Sequence, residues 1–346
     1  KLEVTGGPVP VVEGVGGGII SDSGTLSYIP FTPSVFQNNH RTLVWVDRKG
    51  KEESIGAPPN FCRFPNISPD GTRAAMAVFT DVANADIWVW DLARKVFARL
   101  TFEELFNLSP IWTRDGKRIA FYRGAGKHSG VYWKSTDGIG KDEQLCSIEQ
   151  VFLPYGWSGD GETLVGEAAD SADIVTMAMK GGHERKPLLK ETYVEMQPKI
   201  SPDGRWMAYM SDESRSKEIY VRPFPDVNKG RWQVSTNGGD SPLWSPDGRE
   251  LFYRNGDAVM AVPVKTEPDF SIEGMPQILF RGAYVQEAAQ EGTPWDISPD
   301  GKRFLMMKES STAENGPQKQ ADAPDSRKII IVTNWFEELK ERVPVE

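Results

Sequence analysis

Apolar and polar residues alternate in short runs along most of the chain, and the runs come in groups. The clearest group is Arg73–Phe79, then Asp86-Ile87-Trp88-Val89-Trp90-Asp91, then Phe97–Thr101. Each run has the length and composition of a β-strand. In the middle run, alternation sets Ile87 and Val89 on one face and Trp88 and Trp90 on the other. Both faces are apolar, as expected of a sheet covered by other sheets on both sides. Similar runs recur at Thr25–Ile29, Thr42–Asp47, Glu52–Ile55, Val131–Trp133, Asp173–Met177, Glu218–Val221, Trp232–Val234 and Phe304–Met307. Another, Ala258–Val264, follows a tight Asn255-Gly256 turn.

The runs are punctuated by one repeated tetrapeptide. Ser68-Pro69-Asp70-Gly71 returns unchanged as Ser201-Pro202-Asp203-Gly204, Ser245-Pro246-Asp247-Gly248 and Ser298-Pro299-Asp300-Gly301. Thr113-Arg114-Asp115-Gly116 and Ser158-Gly159-Asp160-Gly161 are near copies, and Ser21-Asp22-Ser23-Gly24 is a degraded one. The glycines are 47, 45, 45, 43, 44 and 53 residues apart. Proline presets the first central turn residue, aspartate bonds nearby backbone, and glycine takes the left-handed position that closes a hairpin. A unit of this size matches a four-stranded propeller blade.

The pattern predicts an all-β chain. It is a single domain over residues 1–346, a seven-bladed β-propeller of four-stranded antiparallel blades. Residues 2–12 read as a strand that pairs with 328–333 and completes the blade containing 291–333. Closure of this kind removes exposed strand edges. Six blades are the alternative, if the Ser21 repeat forms none. Residues 309–326 are polar and read as a flexible insert, and 335–342 as a short C-terminal helix with Trp335, Phe336 and Leu339 on one side.

The repeated unit resembles the WD40-like or PD40 repeat of TolB-type propellers, best over Asn66–Phe79 with Ile87–Asp91 and over Lys199–Tyr209 with Ile219–Pro223. The chain also resembles the extracytoplasmic propeller that follows the kinase domain in certain bacterial serine/threonine protein kinases. The matching stretches are Gly7–Val11, Leu43–Gly50 and Asn334–Leu339. No H-R-D, D-F-G or glycine-rich kinase loop is present. The resemblance implies a sensor or scaffold part, in an extracytoplasmic or periplasmic setting.

Composition narrows the partners. There are 49 acidic and 40 basic residues, a formal net charge of −9, and no basic cluster, so nucleic acid is not an expected partner. No run approaches the ~20 apolar residues of a membrane-spanning helix. Cys62 and Cys146 fall in different repeats and read as two isolated thiols, with a disulfide left open. A monomer is expected.

Chemistry is sparse. Gly156-Trp157-Ser158-Gly159-Asp160 starts like a nucleophile elbow and then departs from it, and Ser158 is already the turn serine. His40, His128 and His183 stand in separate repeats without metal-ligand spacing. Propellers bind ligands where the innermost strands begin. Counting five to seven residues back from each turn serine gives Arg63, Asn107, Leu153, Glu195, Asp240 and Glu291, with Tyr155 and Gln197 just after. The expected ligand-binding mouth is therefore Arg63, Asn107, Tyr155, Glu195, Gln197, Asp240 and Glu291. Glu195 and Asp240 are the candidates for acid–base chemistry.

Two functions follow as expectations. One is a non-catalytic module that binds a protein, peptide or small molecule on one face, with no cofactor. The other is a hydrolase or lyase using the acidic mouth, with a divalent cation as an option. The recurring Trp88, Trp90, Trp112, Trp157 and Trp244 read as packing between blades.

Overall fold

The computed structural model describes residues 15–21, 24–30, 40–81, 84–102, 105–124, 129–147, 151–168, 171–286, 292–310 and 330–333. The chain divides into two compact units, one of residues 40–310 and one of residues 1–39 with 311–346. In the latter, β1 (Val15–Ile20) pairs antiparallel with β2 (Leu26–Pro30), and β2 pairs with β28 (Ile330–Val332).

The larger unit opens with β3 (Arg41–Asp47) and β4 (Glu52–Ser54). Four antiparallel groups of four follow. They are β5 (Cys62–Ile67), β6 (Arg73–Phe79), β7 (Ala85–Asp91) and β8 (Val96–Arg99); then β9 (Phe106–Trp112), β10 (Arg118–Gly124), β11 (Gly130–Ser135) and β12 (Glu143–Ser147); then β13 (Phe152–Trp157), β14 (Thr163–Ala168), β15 (Asp173–Ala178) and β16 (Arg185–Leu189); then β17 (Glu195–Ile200), β18 (Trp206–Ser211), β19 (Glu218–Pro223) and β20 (Trp232–Gln233). A parallel bridge from Ala85 to Phe106 links the first two groups. In the next group β21 (Asp240–Trp244), β22 (Glu250–Asn255) and β23 (Ala258–Lys265) are edged by β24 (Ser271–Ile272) and β25 (Gln277–Arg281). The last group starts with β26 (Trp295–Ile297) and β27 (Arg303–Glu309), and then continues into β3 and β4.

That last pairing differs from the sequence expectation. Residues 41–54 read as part of a first repeat, yet β3 runs the full length of β27, from Asp47 against Arg303 to Arg41 against Glu309. The four-stranded sheet holding β26 and β27 is therefore completed by β3 and β4. The expected completing strand, 2–12, lies outside the described residues, as do the helix at 335–342 and nearly all of the insert at 309–326. The end of the chain near Ile330 pairs with β2 instead. The physical reason is side-chain fit: Val44, Val46, Phe304 and Met306 are buried together with Phe252, Phe280 and Trp295.

The turn motif does what its residues dictate. In the six copies from Ser68 to Ser298 the Ser or Thr hydroxyl donates to the Asp carboxylate: Ser68 to Asp70 at 2.6 Å, Thr113 to Asp115 at 2.7 Å, Ser201 to Asp203 at 2.5 Å, Ser245 to Asp247 at 2.6 Å and Ser298 to Asp300 at 2.6 Å, with Ser158 to Asp160 alike. The same hydroxyl accepts the N–H five residues on, as from Arg73 at 2.9 Å and Trp206 at 3.0 Å. These bonds hold the Asp70, Asp115, Asp160, Asp247 and Asp300 carboxyls below the usual range. The aspartates are turn formers, as expected.

The tips touch in a closed cycle. Gly116 faces Pro69, Gly161 faces Arg114, Gly204 faces Gly159, Gly248 faces Pro202, Gly301 faces Pro246, and Gly71 returns to Pro299. In the smaller unit the Gly24 N–H closes the β1–β2 turn on the Ser21 carbonyl at 3.0 Å. The innermost strands β5, β9, β13, β17, β21 and β26 likewise contact one another in that order, with β26 meeting β5.

Tryptophans immediately before the turn join neighbouring groups. Trp112 Nε1 donates to Asn66 O at 2.9 Å, Trp157 Nε1 to Trp112 O at 2.9 Å, and Trp244 Nε1 to Lys199 O at 3.0 Å. Between the sheets Phe121, Phe152, Phe252, Phe304, Tyr209 and Trp295 are wholly buried. Each such side chain contributes roughly 1.5–3 kcal/mol of burial free energy, and sheet-on-sheet stacking is what provides it.

Candidate functional site

The axis of the ring is shaped by one local device. Four residues before the turn serine or threonine, Phe64, Ser109, Gln197 and Ser241 have φ of 56°, 52°, 57° and 52°. The pairing of each of these strands slips at that point, as it does in β13 between Pro154 and Gly156. This is a β-bulge, which bends a strand and re-aims a side chain. Proline follows directly at Pro65, Pro110, Pro198 and Pro242. A bulge leaves a residue out of the ladder, so a residue lacking an N–H costs little there.

The re-aimed side chains close the axis. Gln197 Oε1 accepts the Ser241 N–H at 2.7 Å, and its Nε2 donates to the Gly292 carbonyl at 3.4 Å. Gly292 precedes β26, which is not a neighbour of β17 in the ring, so this bond crosses the axis. The Phe64 ring lies where a Gly292 side chain would be, 2.0 Å from an added Cβ. Ser109 Oγ donates to Pro154 O at 2.6 Å. Gln197 is 1% and Phe64 6% exposed, so the middle of the axis is filled.

On the strand-start side of this plug stand the residues expected at the mouth. Arg63 and Asp240 are partly exposed. The Arg63 guanidinium lies over the rings of Phe61 and Phe79. Asp240 pairs in register with Arg254, and burial pushes its carboxyl up while the Ser241 hydroxyl, Arg254 and Lys217 oppose. Asn107 is buried and committed to the framework: Nδ2 donates to Ala85 O and Oδ1 accepts Arg123 Nε, both at 2.9 Å. Glu195 is 2% exposed. Burial pushes its carboxyl to about 7; the Glu191 N–H opposes, and Glu191 and Asp173 add repulsion that Arg222 offsets. Tyr155 is buried beside Glu167. Glu291 lies outside the described residues. The structure thus joins Gln197 to the Asp240–Ser241 corner, but Glu195 and Asp240 have separate surroundings and form no pair.

One buried acid was not anticipated. Glu167 on β14 is fully buried, and its Oε2 accepts the Gln197 N–H at 3.4 Å. Burial pushes its carboxyl up to about 7, against the Gln197 N–H and Tyr155. The signal was there: a lone acid inside the apolar run Thr163–Ala168.

On the turn side a second set of residues lines the axis, with open space beside Gly156. Two residues before the turn serine or threonine stand Asn66, Ile111, Gly156, Lys199, Leu243 and Asp296. Ile111 and Leu243 are buried, and the other four are partly exposed. Asp296 accepts the Ile67 N–H at 2.7 Å, Asn66 Nδ2 at 3.1 Å and its neighbour Ile297 at 2.9 Å. Lys199 Nζ donates to Tyr155 O at 3.3 Å. Enclosure by protein lowers the Lys199 pKa and raises that of Asp296, and each charge partly offsets the effect on the other. Charged Lys199 and Asp296, where Ile111 and Leu243 stand in other repeats, were the sequence signal for this recess.

Among the described residues no three His, Cys, Asp or Glu side chains are placed to hold a metal ion. His128 lies outside them. Ser158 is occupied by its turn, and Cys62 and Cys146 form no disulfide, each lying against a methionine sulfur. No helix among the described residues is long and apolar enough to cross a membrane.

Comparison with known proteins agrees with this architecture. Residues 108–272 match the PD40 family, described as the TolB beta propeller domain. The fold is similar to that of a putative TolB from Agrobacterium tumefaciens, with a TM-score of 0.58 and 18% identity over 78% of this chain and 98% of that one. It is also similar to TolB from Acinetobacter baumannii, with a TM-score of 0.50 and 16% identity over 81% of this chain and 65% of that one. A curated relative, the uncharacterized peptidase YuxL of Bacillus subtilis (strain 168), is 26% identical over 45% of this chain, and the match spans 31% of that relative's length. Within this chain, residues 108–272 carry a PD40/TolB-type β-propeller domain.

Proposed function

We propose that the chain is a binding module: residues 40–310 form a six-bladed propeller that holds a protein, peptide or small ligand on the face where its innermost strands begin. The observation that carries this reading is the filled axis. Gln197 and Phe64 leave a rim instead of a through-channel, and Arg63 and Asp240 present charge of both signs there. Such a rim steers and orients a partner. The reading extends to a sensing part of a bacterial receptor-type kinase, supported by the resemblance of Leu43–Gly50.

The test is selection of a displayed peptide library on the intact chain. Peptides should be enriched that lose binding to Arg63→Ala and Asp240→Ala but keep it with Lys302→Ala, on the opposite face. Enriched peptides indifferent to Arg63 and Asp240 would sink the reading.

A second reading, a hydrolase or lyase, draws support from two carboxyls held near 7, those of Glu167 and Glu195. A chelator-sensitive turnover of ester, lactone or glycosidic substrates, abolished by Glu195→Gln or Asp240→Asn, would establish it in place of the first.

A further inference from the structure

The recess on the turn side has features that the framework does not use. Lys199 carries three N–H donors and spends one, on Tyr155 O. Asp296 offers about four acceptor positions, and three are taken. Lys199 belongs to β17 and Asp296 to β26, strands that are not neighbours, so the two charges face each other across the axis. They are not bonded to one another. Beside Lys199, the ring position that would carry a side chain on β13 is Gly156. A Cβ added there would meet nothing within 4 Å. The wall of the recess therefore has a vacant slot next to an ammonium with two uncommitted donors.

We infer that this recess binds a small zwitterion, an amino carboxylate whose carboxylate sits on Lys199 in the Gly156 slot and whose ammonium points toward Asp296 and Asn66. The charge balance argues for this class. Lys199 and Asp296 together are neutral, so a lone anion or cation would leave one of the two charges opposed by a like charge, whereas a dipolar molecule keeps the recess neutral and meets both poles. The inference shares the binding-module reading but uses the opposite face, so loss of peptide binding at Arg63 leaves it standing.

The test is thermal unfolding of the intact chain with millimolar glycine, 4-aminobutyrate or 6-aminohexanoate, against butylamine and butyrate as single-charge controls. One zwitterion should raise Tm by a few degrees, and neither control should. The shift should vanish in Gly156→Leu, which fills the slot without altering charge, and in Lys199→Gln. Absence of a shift with every zwitterion, an equal shift with butyrate, or a shift that survives both variants would overturn the proposal.

Discussion

The side-chain carbonyl of Gln197 accepts the backbone N–H of Ser241, on the next innermost strand, at 2.7 Å. Both residues are in the left-handed region, and both are buried. One side chain thus supplies a partner for a backbone group that a bulge has removed from its ladder. Gln197→Leu keeps the volume but leaves the Ser241 N–H unpaired in the interior. The expected loss is about 1–3 kcal/mol, read as a lower urea midpoint with an unchanged slope.

Gly204 is where two turns come closest. Its φ is +75°, and an added Cβ would lie 2.7 Å from Gly159 Cα, which is backbone and cannot swing away. Gly204→Ala should cost at least about 1–2 kcal/mol from the backbone conformation alone. Gly256→Ala, at a φ of +57° in open space, measures that conformational part by itself. The difference between the two variants in chemical denaturation is the cost of the turn contact.

The turn aspartates set an acid limit on stability. In Asp247 the Ser245 hydroxyl and then the Arg249 N–H hold the carboxyl below its ordinary 3.8. The folded state therefore releases this proton more readily than the unfolded state, so the contribution is complete above 3.8 and is lost as pH falls through the lower folded value. Asp247→Ala should cost about 1 kcal/mol at pH 7 and less at pH 2, measured by thermal unfolding across that range.

Glu167 acts in the opposite sense. Its carboxyl keeps its proton to about 7 when folded and to about 4.5 when unfolded. Between those values the folded state binds more protons, so stability present below 4.5 declines until about pH 7 and is level above it. The burden at pH 8 is on the order of 3 kcal/mol. Glu167→Gln, whose side-chain oxygen can still accept the Gln197 N–H, should be the more stable protein at pH 8 and show a flatter profile from pH 5 to 8.

Much of this was legible in the sequence because the turn is a local device. Ser, Pro, Asp and Gly fix their own geometry, and their spacing announces repeated sheets before any tertiary contact is known. The axis was harder to read. A bulge adds one residue and reverses which side chains face inward beyond it, so a count back from the turn serine gives a position along the strand but not the surroundings of its side chain: Asn107 and Glu195 are buried, whereas Arg63 and Asp240 are partly exposed. Lys199 and Asp296 lie on the other side of the bulge. The proline that follows Phe64, Ser109, Gln197 and Ser241 was the clue. The destination of Thr42–Asp47 was illegible for a different reason: pairing between residues 41 and 309 depends on a partner more than 260 positions away, and an apolar strand fits many partners equally well.

Ser310 donates its N–H to the carbonyl of His40 at 2.7 Å, so the larger unit is entered and left at a single spot. Its perimeter has no natural first or last sheet. The 40–310 segment is accordingly a cassette: a host chain can receive it as an insertion without separating its own flanks, and new termini can be cut at another loop once 310 is spliced to 40.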